Sequence, residues 1–262
     1  MLKVKKPEFS GLFYNQNKYL LNYKLQKYLQ VSAKFNQQIR ALIVPHAGYI
    51  YSGQCAAHAY ALVKKQQTLY KNIYILAPSH NYDFNMPRSC DYNFFTTPIG
   101  ALKVNNLEIE RLKAENHLHI DNQVFVKEHS IEVQLPFIVK SFGLKVNIIP
   151  CLLSRTKVTY ITNILDQIFQ NKDNFLVISA DLSHFLNIQM QQARDLNTIA
   201  KIENLGPNFI TYEESCNAMA INGLMNFCSN NNYNIKNVYF ANSAEKTKDY
   251  NKVVGYGSFV IY

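Results

Sequence analysis

The 262 residues suffice for one large α/β domain or two small ones, and with nearly half of them apolar one domain spanning 1–262 is expected. The net charge of +9 comes from 27 Lys and Arg scattered along the chain with no basic stripe interleaved with aromatics, which argues against nucleic acid as a partner. No N-terminal stretch suits a signal peptide, no window is long enough to span a bilayer, and five cysteines without a CxxC pair fit a reducing compartment, so a soluble cytoplasmic protein is expected.

Up to about residue 36 the chain reads as an entry loop and a polar helix, with Tyr19, Leu20, Tyr23, Leu25 and Tyr28 as an imperfect apolar stripe. The run RALIVPHAGYIYS, from Arg40, predicts a buried strand stopped by Pro45. A helix follows from Ser52, with that serine as its cap. NIYILAPSH, from Asn72, is a second buried strand, so the order is a βαβ crossover with parallel strands. The stretch 81–105 breaks into turns with one or two edge strands, and a helix runs from Leu107 to Asn116.

In EHSIEVQLPFIVKSF, from Glu128, Ile131, Leu135, Ile138 and Phe142 share a helical face, and Ser130 is placed to cap its start. Pro136 demands either a kink or a helix that begins at the proline. Then come a strand from Lys145, a helix over Tyr160 to Gln170 and a strand from Asn174 that ends near Asp181 and His184. Helices follow over Gln189 to Asn204, near Pro207, and along the apolar run from Cys216 to Phe227. Two strands, from Asn237 and Lys252, close the chain. The fold class is therefore α/β, with a mainly parallel central sheet flanked by helices.

His46, His80 and His184 each follow an apolar strand, and parallel strands bring such ends to one sheet edge, where these imidazoles can converge. The two strands ending at His46 and His80 are candidates for neighbours in the sheet. A proline before each histidine stops the strand and fixes the backbone. Asp181 stands three residues before His184, where it either raises the imidazole pKa and fixes its tautomer or caps the next helix. Glu128, His129 and Glu132 pose the same choice: a capped helix start, or an inward His129 oriented by Glu132.

VPHAGYIYSG, APSH, EHSIEVQLPF and SADLSHF, with SGLFY, ESCNAMAI around Cys216 and the closing GYGSF, resemble the signature blocks of the Memo family over nearly the whole chain. This is the Memo-like protein of a bacterial system that also contains an AMMECR-type protein and a radical-SAM protein, which makes those two possible partners. The family is similar in fold to class III extradiol ring-cleaving dioxygenases. From that resemblance His46, His80 and Cys216 are expected to be metal ligands, with the cysteine where the dioxygenases have a glutamate. His184 is the expected acid/base residue, and Asp181 and His129 line the pocket. Asn81 departs from the family's usual second histidine, and Asn217 from its usual glycine.

Two imidazoles and a thiolate leave coordination positions open. The thiolate is softer than a carboxylate and favours copper(I) or zinc, with iron also compatible. The expected function is thus that of an iron- or copper-dependent, dioxygenase-like oxidoreductase acting on a small-molecule or peptide substrate. The alternative is a non-enzymatic protein that sequesters a metal or receives a partner peptide in the same pocket.

Overall fold

The computed structural model describes residues 2–66, 70–206 and 209–262. It begins with a two-residue strand, Val4–Lys5 (β1), and the helix Lys18–Tyr28 (α1), capped by the Asn17 side chain, which accepts the Tyr19 and Leu20 N–H groups. The expected stripe is out of phase. Leu21 and Leu25, one turn apart, face the core, whereas Tyr19, Leu20 and Tyr23 face solvent. Lys18 and Lys27 lie over the Tyr19 and Tyr23 rings, which gives those aromatics a favourable surface role.

The strand Ala41–Val44 (β2) is followed by the helix Tyr49–Gln66 (α2), which starts before the expected Ser52 cap. Its first N–H, on Tyr49, is satisfied by Phe13 O of the entry loop, while Ser52 lies inside the helix and donates to Ala47 O. The strand Asn72–Pro78 (β3) leads into the excursion, which holds Arg88–Ser89 (β4), Phe94–Thr97 (β5) and Gly100–Val104 (β6). The helix Asn106–Ala114 (α3) and the strand His119–Ile120 (β7) complete it.

Two single 3₁₀ turns, Gln123–Phe125 and Glu132–Gln134, precede the helix Leu135–Phe142 (α4). Pro136 sits in the first turn of α4, where its missing N–H costs nothing, so the helix starts at the proline without a kink. Ser130 does not cap it; its hydroxyl donates to Pro78 O. The strand Asn147–Leu153 (β8), helix Val158–Gln170 (α5) and strand Asn174–Ser179 (β9) follow the expected alternation.

The helices Ile188–Glu203 (α6) and Ala218–Asn231 (α7) come next, then Ile235–Asn242 (β10), a one-turn helix Ala244–Thr247 (α8) and Gly255–Ile261 (β11). The helix expected near Pro207 falls partly on residues 207–208, outside the described residues; residues 209–217 form a turn. Cys216 lies in that turn, before α7 rather than on it.

The sheet order is β1-β5-β6-β8-β3-β9-β2-β11-β10, with β6, β8, β3, β9 and β2 parallel and the β11 and β10 edge antiparallel. The strands ending at His46 and His80 are therefore not neighbours: β9 lies between β2 and β3. The crossover from β2 to β3 runs one way across the sheet and that from β8 to β9 the other, so right-handed connections set α2 and α5 on opposite faces. Both faces are covered, which is why β2, β3, β8 and β9 read as continuous apolar runs, each buried Leu or Ile contributing about 1.5–3 kcal/mol.

The reversal of direction opens a crevice beyond the carboxyl ends of these strands. Pairing of β3 with β9 stops at Leu76 and Ile178, while β3 stays with β8 to Leu153 and β9 stays with β2 to Ser179.

Candidate metal centre

His46 and His80 leave the ends of β2 and β3, and Cys216 arrives from the turn before α7. Their ligand-capable atoms lie within 4.8 Å of one another. Cys216 Sγ is 3.5 Å from His46 Nε2, and the His46 and His80 rings are edge to face with centroids 5.3 Å apart.

Hydrogen bonds decide which imidazole nitrogens are free. The Ser179 hydroxyl gives its one proton to Ser130 O (2.7 Å) and accepts from Gln134 Nε2 (2.8 Å), so at His46 Nδ1 (2.9 Å) it can only accept. His46 is thereby held as the Nδ1–H tautomer with a lone pair on Nε2, facing the sulfur. The Glu128 carboxylate does the same for His80. Oε2 accepts the His80 backbone N–H at 2.7 Å, and Oε1 accepts Nδ1–H at 2.9 Å and the Ser130 N–H at 3.0 Å. Both imidazoles are oriented from behind and present Nε2, the arrangement in which a second ring of residues fixes metal-ligating histidines.

The electrostatics follow from this enclosure. Burial and the nearby His80 push His46 down to about 3, so its ring is neutral. Burial would raise Glu128, but its hydrogen bonds with His80 and the His80 charge bring it down to about 2. Burial opposes a charge on His80, yet Glu128 outweighs it and holds the imidazole above its ordinary value. Desolvation and the Asp181 charge hold the Cys216 thiol well above its ordinary value.

The remaining expected residues stand around this group. Asp181, buried, accepts the His46 backbone N–H with Oδ1 at 2.8 Å. Its main chain brackets the cysteine: Asp181 N–H donates to Cys216 Sγ (3.2 Å), Asp181 O accepts the Cys216 N–H (3.3 Å) and the Ser215 hydroxyl (2.7 Å). It does not cap α6, whose N-cap is Asn187, with its side chain accepting the Met190 N–H. Nor is His184 its hydrogen-bond partner among the described residues, although His184 is close enough for their charges to interact. The His184 ring is half-buried beside Phe185, which has left-handed backbone at φ 58°.

His129 stacks on His80 with centroids 4.7 Å apart and packs against Phe9 and Phe13. Burial, with the neighbouring His46 and His80 imidazoles, pushes it down to about 4. Its expected partner is the wrong glutamate. Glu132 accepts the Glu8 and Phe9 N–H groups and the Tyr14 hydroxyl, so it fastens the entry loop, and Glu128 is the carboxylate beside His129 at 3.5 Å. His80, Glu128 and His129 form a second group with metal-capable spacing.

Sequence reasoning missed Ser179 and Gln134 altogether and left Glu128 as one of several choices. The signal for two of them lay inside the EHSIEVQLPF block. Gln134 Nε2 also donates to Pro45 O, and its Oε1 accepts the Tyr60 hydroxyl, so one buried amide ties α2 to the strand end before His46.

The family model of the Memo-like protein matches residues 5–260. The chain belongs to the Memo family. A MEMO1 family protein of Thermoplasma acidophilum is 28% identical over 98% of this chain and 98% of its own length. One from Aquifex aeolicus is 26% identical over 97% of this chain and 98% of its own. The memo-1 homolog of Caenorhabditis elegans is 37% identical over 67% of this chain and 51% of its own. All the blocks that carry the resemblance fall within the matched Memo region, and the fold brings residues of five of them together at one sheet edge. Among the described residues no helix is long and apolar enough to cross a membrane.

Proposed function

We propose that this Memo family protein binds one iron or copper ion through His46, His80 and Cys216 and performs a redox step on a small or protein-borne substrate. The observation that supports this most is the convergence of two tautomer-fixed imidazoles and a sulfur within 4.8 Å. The donor set fits such a metal: two neutral nitrogens and a soft sulfur, each already oriented from behind, with open positions left over. Zinc suits the same donors. When bound, the metal supplies Lewis-acid or one-electron chemistry.

The chain's own residues do the rest. Ser179 and Glu128 keep the ligand rings turned inward, and Asp181 holds the His46 main chain against the cysteine turn. His184, on the same sheet edge, moves a proton to or from the substrate, with the Asp181 charge beside it. His129, neutral between His80 and the entry-loop phenylalanines, lines the pocket and excludes water.

Elemental analysis of the purified protein tests the metal: about one equivalent of iron, copper or zinc is expected, and its loss in His46→Ala, His80→Ala and Cys216→Ser variants. Unchanged metal in those variants removes the site. Oxygen consumption tests the redox step, with His184→Ala expected to abolish turnover while metal stays bound. Tight metal binding with no turnover on any catechol-like or protein substrate instead establishes a sequestering role.

A further inference from the structure

The crevice beside the three proposed ligands has a charged end that they do not use. A cleft of about 270 Å³ runs from His80 and Cys216 to Asp83, Arg155 and Tyr212. Arg155 follows β8 on the loop that leaves the sheet, so it stands at the same edge as the histidines. The loop is fixed: Ser154 N–H donates to Thr156 Oγ1 at 3.3 Å and the Tyr212 hydroxyl donates to Ser154 O at 3.0 Å.

Asp83 steadies the arginine from one side. Its Oδ1 accepts the Ser154 hydroxyl at 3.0 Å and its Oδ2 lies 3.2 Å from Arg155 Nη2. The arginine side chain is 79% exposed, and Asp83 is its one polar partner among the described residues. A guanidinium carries five N–H donors in a planar fork, so one carboxylate contact leaves donors over on a residue that lines the cleft.

We infer that this cleft receives a small monocarboxylate, its carboxylate on Arg155 and its body along the Leu153 and Tyr212 walls toward Cys216. This names the ligand class of the proposed metal site and rests on that reading of the crevice. Charge and size set the class. The planar fork can take a second carboxylate beside Asp83, and because the Asp83 charge already offsets the guanidinium, a dianionic phosphate is repelled more than a monoanion. The volume lies below the roughly 300–1,000 Å³ of sites for drug-sized ligands, which limits the occupant to about one ring with a short acid arm.

The test uses 3-phenylpropionate, its uncharged amide 3-phenylpropanamide, 2-phenylethylamine and phenyl phosphate, titrated by NMR into the protein as purified and after metal removal. The acid is expected to bind about tenfold more tightly than the amide, the scale of a charge-assisted hydrogen bond discounted for exposure. Arg155→Gln is expected to erase that preference in both preparations while the thermal midpoint stays unchanged.

Equal binding of acid and amide by the unaltered protein overturns the inference without recourse to any variant. So does an acid preference that survives Arg155→Gln, tighter binding of the amine or of phenyl phosphate, or no binding by any probe. Because binding is scored with and without metal, failure of the protein to hold metal overturns the metal reading while leaving the Arg155 result to be judged on its own.

Discussion

Asn217 joins Leu76 to Ser179: its side-chain amide donates to Leu76 O at 3.2 Å and to Ser179 O at 3.1 Å, at the point where β3 and β9 cease to pair. The splay that creates the crevice thus leaves strand carbonyls without ladder partners, and the residue after Cys216 supplies the missing donor. Replacing it with alanine strands both carbonyls in a buried place, and a loss of about 1–3 kcal/mol in thermal or urea unfolding is expected. Asn217→Asp should be worse at neutral pH, since it turns a donor into an acceptor facing two oxygens. Equal stability of all three proteins would show that the amide holds nothing.

Ser179 has a separable role, because it sets the His46 tautomer. Ser179→Ala removes the acceptor of Nδ1–H and frees the ring to present either nitrogen. Metal affinity is expected to fall about 10–100-fold, the range seen when the residue behind a ligating histidine is lost. Calorimetric titration with zinc checks this, and Cys228→Ala, buried near the far end of α7, serves as the control for general damage.

Gly255 shows what the closing GYGSF run is for. A Cβ built there would stand 1.6 Å from Asp195 Oδ2, while its main chain pairs with Leu182 and Ser183 beside Asp181. Gly255→Ala is therefore expected to cost about 3 kcal/mol of unfolding free energy. Asp195→Ala removes the clashing oxygens, so the double variant should lose less than the sum of the two single changes.

Acid stability is tied to Glu108 on α3. Burial would raise its carboxyl, but hydrogen bonds from Arg111 and Tyr74 outweigh burial and hold it below the ordinary 4.5. A carboxyl depressed in the folded state adds stability that is complete above its unfolded value and is lost as pH falls through the folded one. Thermal midpoints of the protein and of Glu108→Gln should differ at pH 7 and draw together below about pH 4.5. A gap that stays constant down to acid would assign the contribution to packing rather than to charge.

The parallel strands were legible because burial on both faces writes them as unbroken apolar runs, and each run's end located His46, His80 and Asp181. Strand order was not. The crossover after β2 skips a place that β9 fills much later in the chain, and no local pattern carries that information. The start of α2 failed for a related reason: Phe13 satisfies its first turn from another segment, so the Ser52 signal had no work to do. The proposed ligands came from motif resemblance, and the structure brings them together. Their orienting partners, Ser179 and Glu128, depend on hydrogen bonds across the fold that spacing cannot encode.

Proton release should accompany metal binding, and its amount reports the ligand set. The Cys216 thiol, raised by desolvation and Asp181, carries its proton at neutral pH and must lose it to ligate. His80, which Glu128 holds above its ordinary value against burial, gives up a further fraction; His46, pushed down to about 3, gives up none. Zinc titration at pH 7 in two buffers of different ionisation heat is therefore expected to show between about one and two protons released, with affinity rising as pH rises. Cys216→Ser should remove about one of them, and Glu128→Gln should lower the His80 share without touching the thiol's. If Cys216→Ser leaves the proton count unchanged, the sulfur is not a ligand, and the centre must instead be built on His80, Glu128 and His129, the other group whose spacing admits a cation.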